Sequence, residues 1–541
     1  MSSFKKKENL KLKNKKASKK DKKLNFFAGI LIVIGSSIGA GIFFKSEAVL
    51  TQNNSSLILA IFSWIIASLA ILLMALSLLE ITSDTNGDLS IVGWNKKFNR
   101  WMVYQMSKNF SLYINIPITF FMMPLYAIMS FQDALQAFNI NVIIGNGEYD
   151  YLIWITLLVL INLYLLFTSG LSAKYASANN NITLIFKILA IVASVVVALI
   201  YFVYSKEINV NWLTKNDYNP SEQVFSIYKF APGIGLFISW AGIFFAYDGF
   251  YVATGISEEL KEPKKAPKAL MIGLVVVTIL HLIIALSMSI NGRGDFKKFL
   301  DFLKTYNYQW VFALINLFIG IGVIGIINGF SFWIPRFIIE LIKLEEIPFS
   351  KKLKKLIKPH STKVGLLYSL VLIFPIVFVF IVAGILFYPE KNDDFYQLYG
   401  SKMSSLYNFA DLISNWISLI IFGFIALSCY GAIKDALKNK NKYPKWFISV
   451  NAIIVLFMGV VLVVNFSLPF VELPLLINQK NTLEISETLI EKINYEIQGK
   501  ILSIIVFFTF IAIMILPPVF TKYQLLQKTQ KLCLKISKKH R

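Results

Sequence analysis

Twelve stretches of about 20 predominantly apolar residues recur along this chain, at about 26–44, 57–82, 103–130, 151–169, 181–204, 232–257, 268–290, 309–340, 364–388, 407–433, 446–468 and 501–521. A helix rises about 1.5 Å per residue, so each run matches the ~30 Å hydrocarbon core of a bilayer. No soluble core needs so much apolar sequence: 56% of the 541 residues are hydrophobic and the mean hydropathy is +0.62. The expected fold is an all-helical polytopic membrane protein, and the stretches are numbered here as spans one to twelve. A long polar tail precedes span one, which does not suit a cleaved signal peptide.

The net charge of +23 raises the question of nucleic acid, because eleven lysines crowd between Lys5 and Lys23. The basic residues follow topology instead. They concentrate in the two tails and in alternate loops, which orients both termini to the cytoplasm of a plasma-membrane protein. Anionic lipid headgroups then account for the tails, and no nucleic-acid partner is expected. Cys429 and Cys533 lie too far apart for a structural disulfide. His281, His360 and His540 show no ligand spacing, so neither metal nor cofactor is expected. The chain has no Gly-rich phosphate loop for ATP-driven work and no clustered His, Asp or Ser pairs for an enzyme. It also lacks the filter loop of a channel.

Span one contains "IGSSIGAGIFF", Ile34 to Phe44. Glycine costs a helix about 1 kcal/mol relative to alanine, and in lipid a broken helix survives only where it is buried or lines a cavity. Small residues at this spacing also permit tight helix crossing, so span one alone leaves both readings open. Span six decides between them. "AGIFFAYDGFYVATG" places Asp248–Gly249 near mid-membrane, where a charge is costly and usually functional. Interrupted helices at corresponding positions of two halves mark the central site of a transporter.

These residues resemble the amino acid–polyamine–organocation (APC) transporter family, whose first span reads G-[SG]-x-I-G-x-G-I-F. Here Gly35 to Phe43 reads "GSSIGAGIF", Phe245 to Phe250 reads "FAYDGF", and Glu258, Glu259 and Pro263 follow in "EELKEPKKAP". Span two ends "LLEITSDTNGD", and span eight resembles the family's arginine-containing end. There the usual R-D-G is replaced by Leu344–Glu345–Glu346. The resemblance runs from about residue 25 to 435. It implies a ten-helix core of two five-helix repeats in inverted orientation, as in the sodium–leucine transporter fold, with discontinuous spans one and six. Residues 1–24 and 522–541 are then cytoplasmic tails. Residues 436–521 form two peripheral spans with an external insertion at 469–500, whose apolar spacing predicts a short amphipathic surface helix.

The resemblance further implies a secondary transporter that moves an amino acid by alternating access, with no covalent reaction. By motif position the amides of Ile38, Gly39, Ala40 and Gly41 hold the substrate carboxylate, glycine leaving room for the ligand. Carbonyls near Ser37 and those of Phe245, Ala246 and Asp248 take the ammonium. The Phe245 ring serves as an outer gate and Phe330 as a second wall. Asp248 either balances a cationic side chain or is satisfied by neighbouring amides, leaving a cationic or a neutral substrate. Lys187 either snorkels to the headgroups or stands between spans one, five and eight in place of sodium, which implies sodium-independent symport or exchange. Glu80, Glu259 and Arg336 form an inner gate or mark helix ends. Lys108 is expected to snorkel, and His281 to be a hydrogen-bonded packing residue. The alternatives are a carrier of the same fold for a polyamine or another organic cation and, more remotely, a channel. Metal carriers of this shape show Asp and Asn in span one and Met in span six, which this chain lacks.

Overall fold

The structure is a computed structural model that describes residues 25–38, 40–83, 89–143, 149–204, 219–252, 260–290, 296–359, 361–390, 399–439, 442–482 and 485–539. Gly39, Glu259 and the tail 1–24 lie outside the described residues. Among those described, ten helices are long and apolar enough to cross a membrane. They are Leu57–Ser83, Trp101–Ala137, Asp150–Thr168, Ala173–Val197, Ala266–Ser287, Gln309–Lys343, Lys363–Phe387, Met403–Lys438, Phe447–Thr482 and Glu487–Tyr523. Span one supplies an eleventh as a bent pair, Phe26–Ser37 with Gly41–Gln52, whose axes meet at 46°. Span six is seen as two short helices, Pro232–Ile238 and Trp240–Tyr247. This is a multi-pass membrane protein.

Span eight is the central helix and packs chiefly on spans three and five. Close approach needs small residues at the crossings. A Cβ on Gly320 would fall 2.5 Å from the Phe131 ring, and one on Gly322 would fall 2.8 Å from the Lys187 side chain. Spans nine and eleven turn Leu367, Val371, Phe378, Leu456 and Val463 outward, the surface a lipid solvent accepts.

The 469–500 insertion is not a separate surface helix. Span eleven continues unbroken through Phe447–Thr482, and span twelve already begins at Glu487. The amphipathic pattern belongs to this prolonged hairpin. Its Leu476, Leu489 and Ile493 bury against Val224 and Phe225. Glu472 accepts hydrogen bonds from Ser226 Oγ (3.0 Å) and the Ile227 amide (2.9 Å), and pairs with Lys500 at 2.5 Å. Apolar cover and a satisfied buried charge stabilise the extension of both spans where a separate short surface helix was expected.

Two further expectations are corrected. Lys108 does not snorkel: its Nζ lies 3.0 Å from both the carboxylate and the main-chain oxygen of Glu346, and Gln105 donates to the same carboxylate at 3.1 Å. The Leu344–Glu345–Glu346 departure from the family pattern therefore supplies a counter-charge that a buried lysine needs. His281 is fully buried, yet neither ring nitrogen has a hydrogen-bond partner among the described residues. It stands edge-on to Tyr247, centroids 4.5 Å apart, held by packing alone.

Candidate functional site

The first half of span one, Phe26–Ser37, starts on the Asn25 side chain, which caps the Ala28 amide at 2.7 Å. Near its end Ser36 Oγ bonds back to the Ile32 and Val33 carbonyls, at 2.8 and 3.2 Å, a contact that competes with helix continuation. Ile38 leaves the helix with φ −77° and ψ 118°, and the second half resumes at Ala40. Its own amide still donates to the Ile34 carbonyl at 3.0 Å. Ile38 therefore has no free amide for a carboxylate; Ala40 and Gly41 open the second half-helix, whose first-turn amides have no acceptor within the helix.

Span six breaks in the mirror-image way. Trp240–Tyr247 ends at Asp248, which is extended at φ −61° and ψ 150°, and Gly249 follows at φ +96°. A Cβ on Gly249 would lie 2.3 Å from the Ser36 carbonyl oxygen, and one on Gly41 would lie 2.7 Å from Ala246 Cα. The two breaks are thus in direct backbone contact. At Gly41 span six itself approaches too closely for a side chain.

Asp248 is buried and accepts from the Gly249 amide at 2.8 Å and from the Tyr251 hydroxyl. Asn115 Nδ2 reaches that hydroxyl at 3.0 Å from a π-helical turn in span three, Ser111–Asn115. Such turns re-aim side chains and recur at functional sites. Phe330 is fully buried, with its ring edge-on to Tyr251 at 6.1 Å, and so walls the same spot. Ser37 Oγ and Asn115 Oδ1 are both buried without a partner among the described residues. Buried polar atoms are normally satisfied, which makes two orphans beside two broken helices informative.

Lys187 does not snorkel. It is 3% exposed, and its ammonium donates to the Gly35 carbonyl, in the last turn of the first half-helix. A Cβ on Gly325 of span eight would lie 3.3 Å from its Nζ. The ammonium sits between spans one, five and eight, where a helix C-terminus favours a cation.

On the other side of the break, Phe245 is buried against Tyr126, centroids 5.6 Å apart, with Lys45 Nζ 5.1 Å from its ring centre. Lys45 Nζ pairs with Asp411 Oδ1 at 2.5 Å and donates to Asn415 Oδ1 at 2.8 Å. Sequence reasoning missed Lys45, Tyr126, Asn115, Tyr251 and Asp411. Lys45 was readable as a cation one residue past the apolar run; the others needed contacts between spans. Glu80 and Arg336 form no ion pair with each other. Arg336 donates to the Phe332 carbonyl at 2.6 Å and lies 3.9 Å over the Phe332 ring.

Two interrupted helices meeting inside a helical bundle, with buried polar groups at the crossing, are the working parts of a secondary transporter. The amino acid permease family model matches residues 24–483, and the chain belongs to that family. It is 38% identical over 535 residues to an uncharacterized protein of Mycoplasma pneumoniae, covering 92% of this chain and 93% of that one. It is 25% identical over 329 residues to the branched-chain amino acid permease BcaP of Bacillus subtilis, covering 55% and 62%. Among solved structures, a manganese transporter of Eremococcus coleocola aligns over 91% of this chain and 93% of its own, at 14% identity and TM-score 0.48. MhsT in complex with L-phenylalanine aligns over 81% and 98%, at 13% identity and TM-score 0.48.

Proposed function

We propose that the protein exchanges or symports a neutral α-amino acid across the plasma membrane, without sodium, by alternating access about the span one and span six breaks. The observation that carries this reading is the contact between the breaks, Gly249 on the Ser36 carbonyl and Gly41 on Ala246. The substrate carboxylate meets the amides of Ala40 and Gly41, at the positive end of a helix. Its ammonium meets Ser37 Oγ and the carbonyls of Ser37, Phe245, Ala246 and Asp248. Phe330 and Phe245 enclose the side chain.

Asp248 already accepts two hydrogen bonds, which favours a structural carboxylate over a counter-ion for a basic side chain. The likeness to a branched-chain amino acid permease points the same way. Lys187 supplies the positive charge that a sodium ion would bring between spans one, five and eight. The Phe245 ring is the lid of the central site, and Lys45, Asp411 and Tyr126 lock it. On the topology set by the basic residues, that lid faces outside and both termini face the cytoplasm. Arg336 and Glu80 then lie at the inner end, where they can close the cytoplasmic side.

Counterflow into liposomes tests the proposal, using labelled leucine, lysine, arginine and glutamate with and without sodium. Leucine exchange that ignores sodium is the expected result. Exchange confined to lysine and arginine would return Asp248 to the role of counter-ion, and a strict sodium requirement would remove Lys187 from its role.

A further inference from the structure

His281 belongs to span seven, within the helix Ala266–Ile290. Its imidazole is fully buried, and two rings cover it. Tyr247 of span six stands edge-on with centroids 4.5 Å apart, and Trp64 of span two does so at 6.5 Å. Both imidazole nitrogens and the Trp64 indole nitrogen are buried without a partner among the described residues. The central site leaves this group of polar nitrogens without a role.

Part of the cover is mobile in the transport reading. Tyr247 is the last residue of the half-helix Trp240–Tyr247, which also carries the Phe245 lid. Its hydroxyl shares a 2.8 Å hydrogen bond with Ser68 Oγ, joining that half-helix to span two. A movement that lifts Phe245 therefore lifts Tyr247 from His281 as well.

A proton changes what the imidazole requires. The neutral ring has one donor and one acceptor, whereas the imidazolium has two donors and a charge. A buried charge without partners is costly, and aromatic neighbours offset only part of the lost hydration. Of the titratable groups on the helices packed against span seven, only Tyr247 is in ring contact with His281. Span two carries Glu80, sixteen residues beyond Trp64, about 24 Å along the helix. The first half of span one carries none, and the second half carries Lys45, held by Asp411, and the exposed Glu47. Span five brings Lys174 and Tyr175 at its start and Lys187, which is on the Gly35 carbonyl. Asp248, beside Tyr247, is held by the Gly249 amide and the Tyr251 hydroxyl. Lys264, Lys265 and Lys268 lie at the inner start of span seven. None of these pairs with His281 among the described residues.

We propose that His281 is a proton-binding site open only while the lid is lifted, so that proton binding and lid closure exclude one another. Under Tyr247 the imidazole stays neutral. When the half-helix lifts, water reaches the ring, which then takes a proton as pH falls through the ordinary histidine value of about 6.5. Closing again would strip the imidazolium of its hydration, so a bound proton favours the lifted form. Acid on the lid side thereby holds the carrier open and slows exchange. The inference rests on the transport reading for the moving lid alone; the proton site needs no substrate.

The test uses the full-length protein in nanodiscs with isotope-labelled imidazole rings, read by NMR. His360→Asn and His540→Asn leave His281 as the one histidine. At about pH 6 the imidazolium signal in Lys45→Gln, whose lid is unlatched, should be roughly threefold or more that of the natural lid. Equal signals, or a ring that stays neutral in Lys45→Gln down to about pH 5, would overturn the proposal. A second measurement does without that variant. Leucine counterflow should fall roughly threefold between about pH 7.5 and about pH 5.5, and His281→Phe and His281→Gln should each flatten the profile. An acid profile unchanged in both variants overturns the proposal as well. Loss of leucine counterflow at every pH is the separate result that sinks the transport reading, and the NMR comparison then still decides the proton site.

Discussion

The ammonium of Lys187 donates to the main-chain carbonyl of Gly35, joining span five to the point where span one comes apart. The helices packed on it are chiefly span one, span seven and span eight. The first half of span one has no titratable side chain. Span seven contributes only Lys268 at its start and His281, which faces Tyr247. The span eight helix carries only Arg336, Glu340 and Lys343, all in its last turns. No carboxylate on these helices therefore shares the site with Lys187. Replacing Lys187 by methionine should leave the Gly35 carbonyl unsatisfied and slow leucine exchange at least tenfold, whereas arginine should rescue part of it. A Lys187→Met protein that exchanges at the natural rate would remove this residue from the transport cycle.

The lid makes a different demand. Lys45 is buried while the Asp411 side chain is 44% exposed, so solvent screens one end of the pair. The lock is therefore weak enough to open during transport. Lys45→Gln should leave the lid unlatched, shifting the protein toward the open form and raising outside accessibility of a cysteine placed at Phe245. Accessibility equal to that of the unaltered protein would show that the pair is not a latch.

Gly249 tolerates no side chain easily. At φ +96° an L side chain costs about 1–3 kcal/mol, and its Cβ would also run into the Ser36 carbonyl. Gly249→Ala should lower the melting temperature in detergent and abolish counterflow. Gly242→Ala is the control on the same span, since its Cβ meets only the Lys45 side chain at 3.5 Å. Equal melting temperatures for the two variants would contradict the contact.

Glu346 predicts an acid effect. Burial pushes its carboxyl up, but hydrogen bonds from Gln105 and Lys108 and the Lys108 charge outweigh that and hold it below the ordinary value of 4.5. A depressed folded-state pKa contributes stability above the ordinary value, and that contribution is lost as pH falls through the folded one. The unaltered protein should therefore melt higher than Glu346→Gln at neutral pH, and the gap should close in acid below about pH 4. A gap that stays constant with pH would exclude the charged pair as its source.

The lipid solvent made much of this protein legible from its residues. Apolar runs of bilayer length leave little choice but spanning helices, and "GSSIGAGIF" and "FAYDGF" located both breaks because backbone without hydrogen bonds is tolerated in lipid only where it is buried. Lys187 could be named for the same reason, as a charge inside an apolar run, whereas Phe330 was named through the family resemblance. What residues in order could not decide was which atoms face each other across spans. Gly41 and Gly249 signal a close approach, but only the folded bundle shows that Ala246 and Ser36 are what approaches. The Lys45–Asp411 pair and the Asn115–Tyr251–Asp248 chain join positions separated by 366 and by 136 residues in sequence. Local periodicity determined that the helices form and where they break. The partner of each buried charge was decided by tertiary packing, because electrostatic pairing depends on distance in space and carries no signature along the chain.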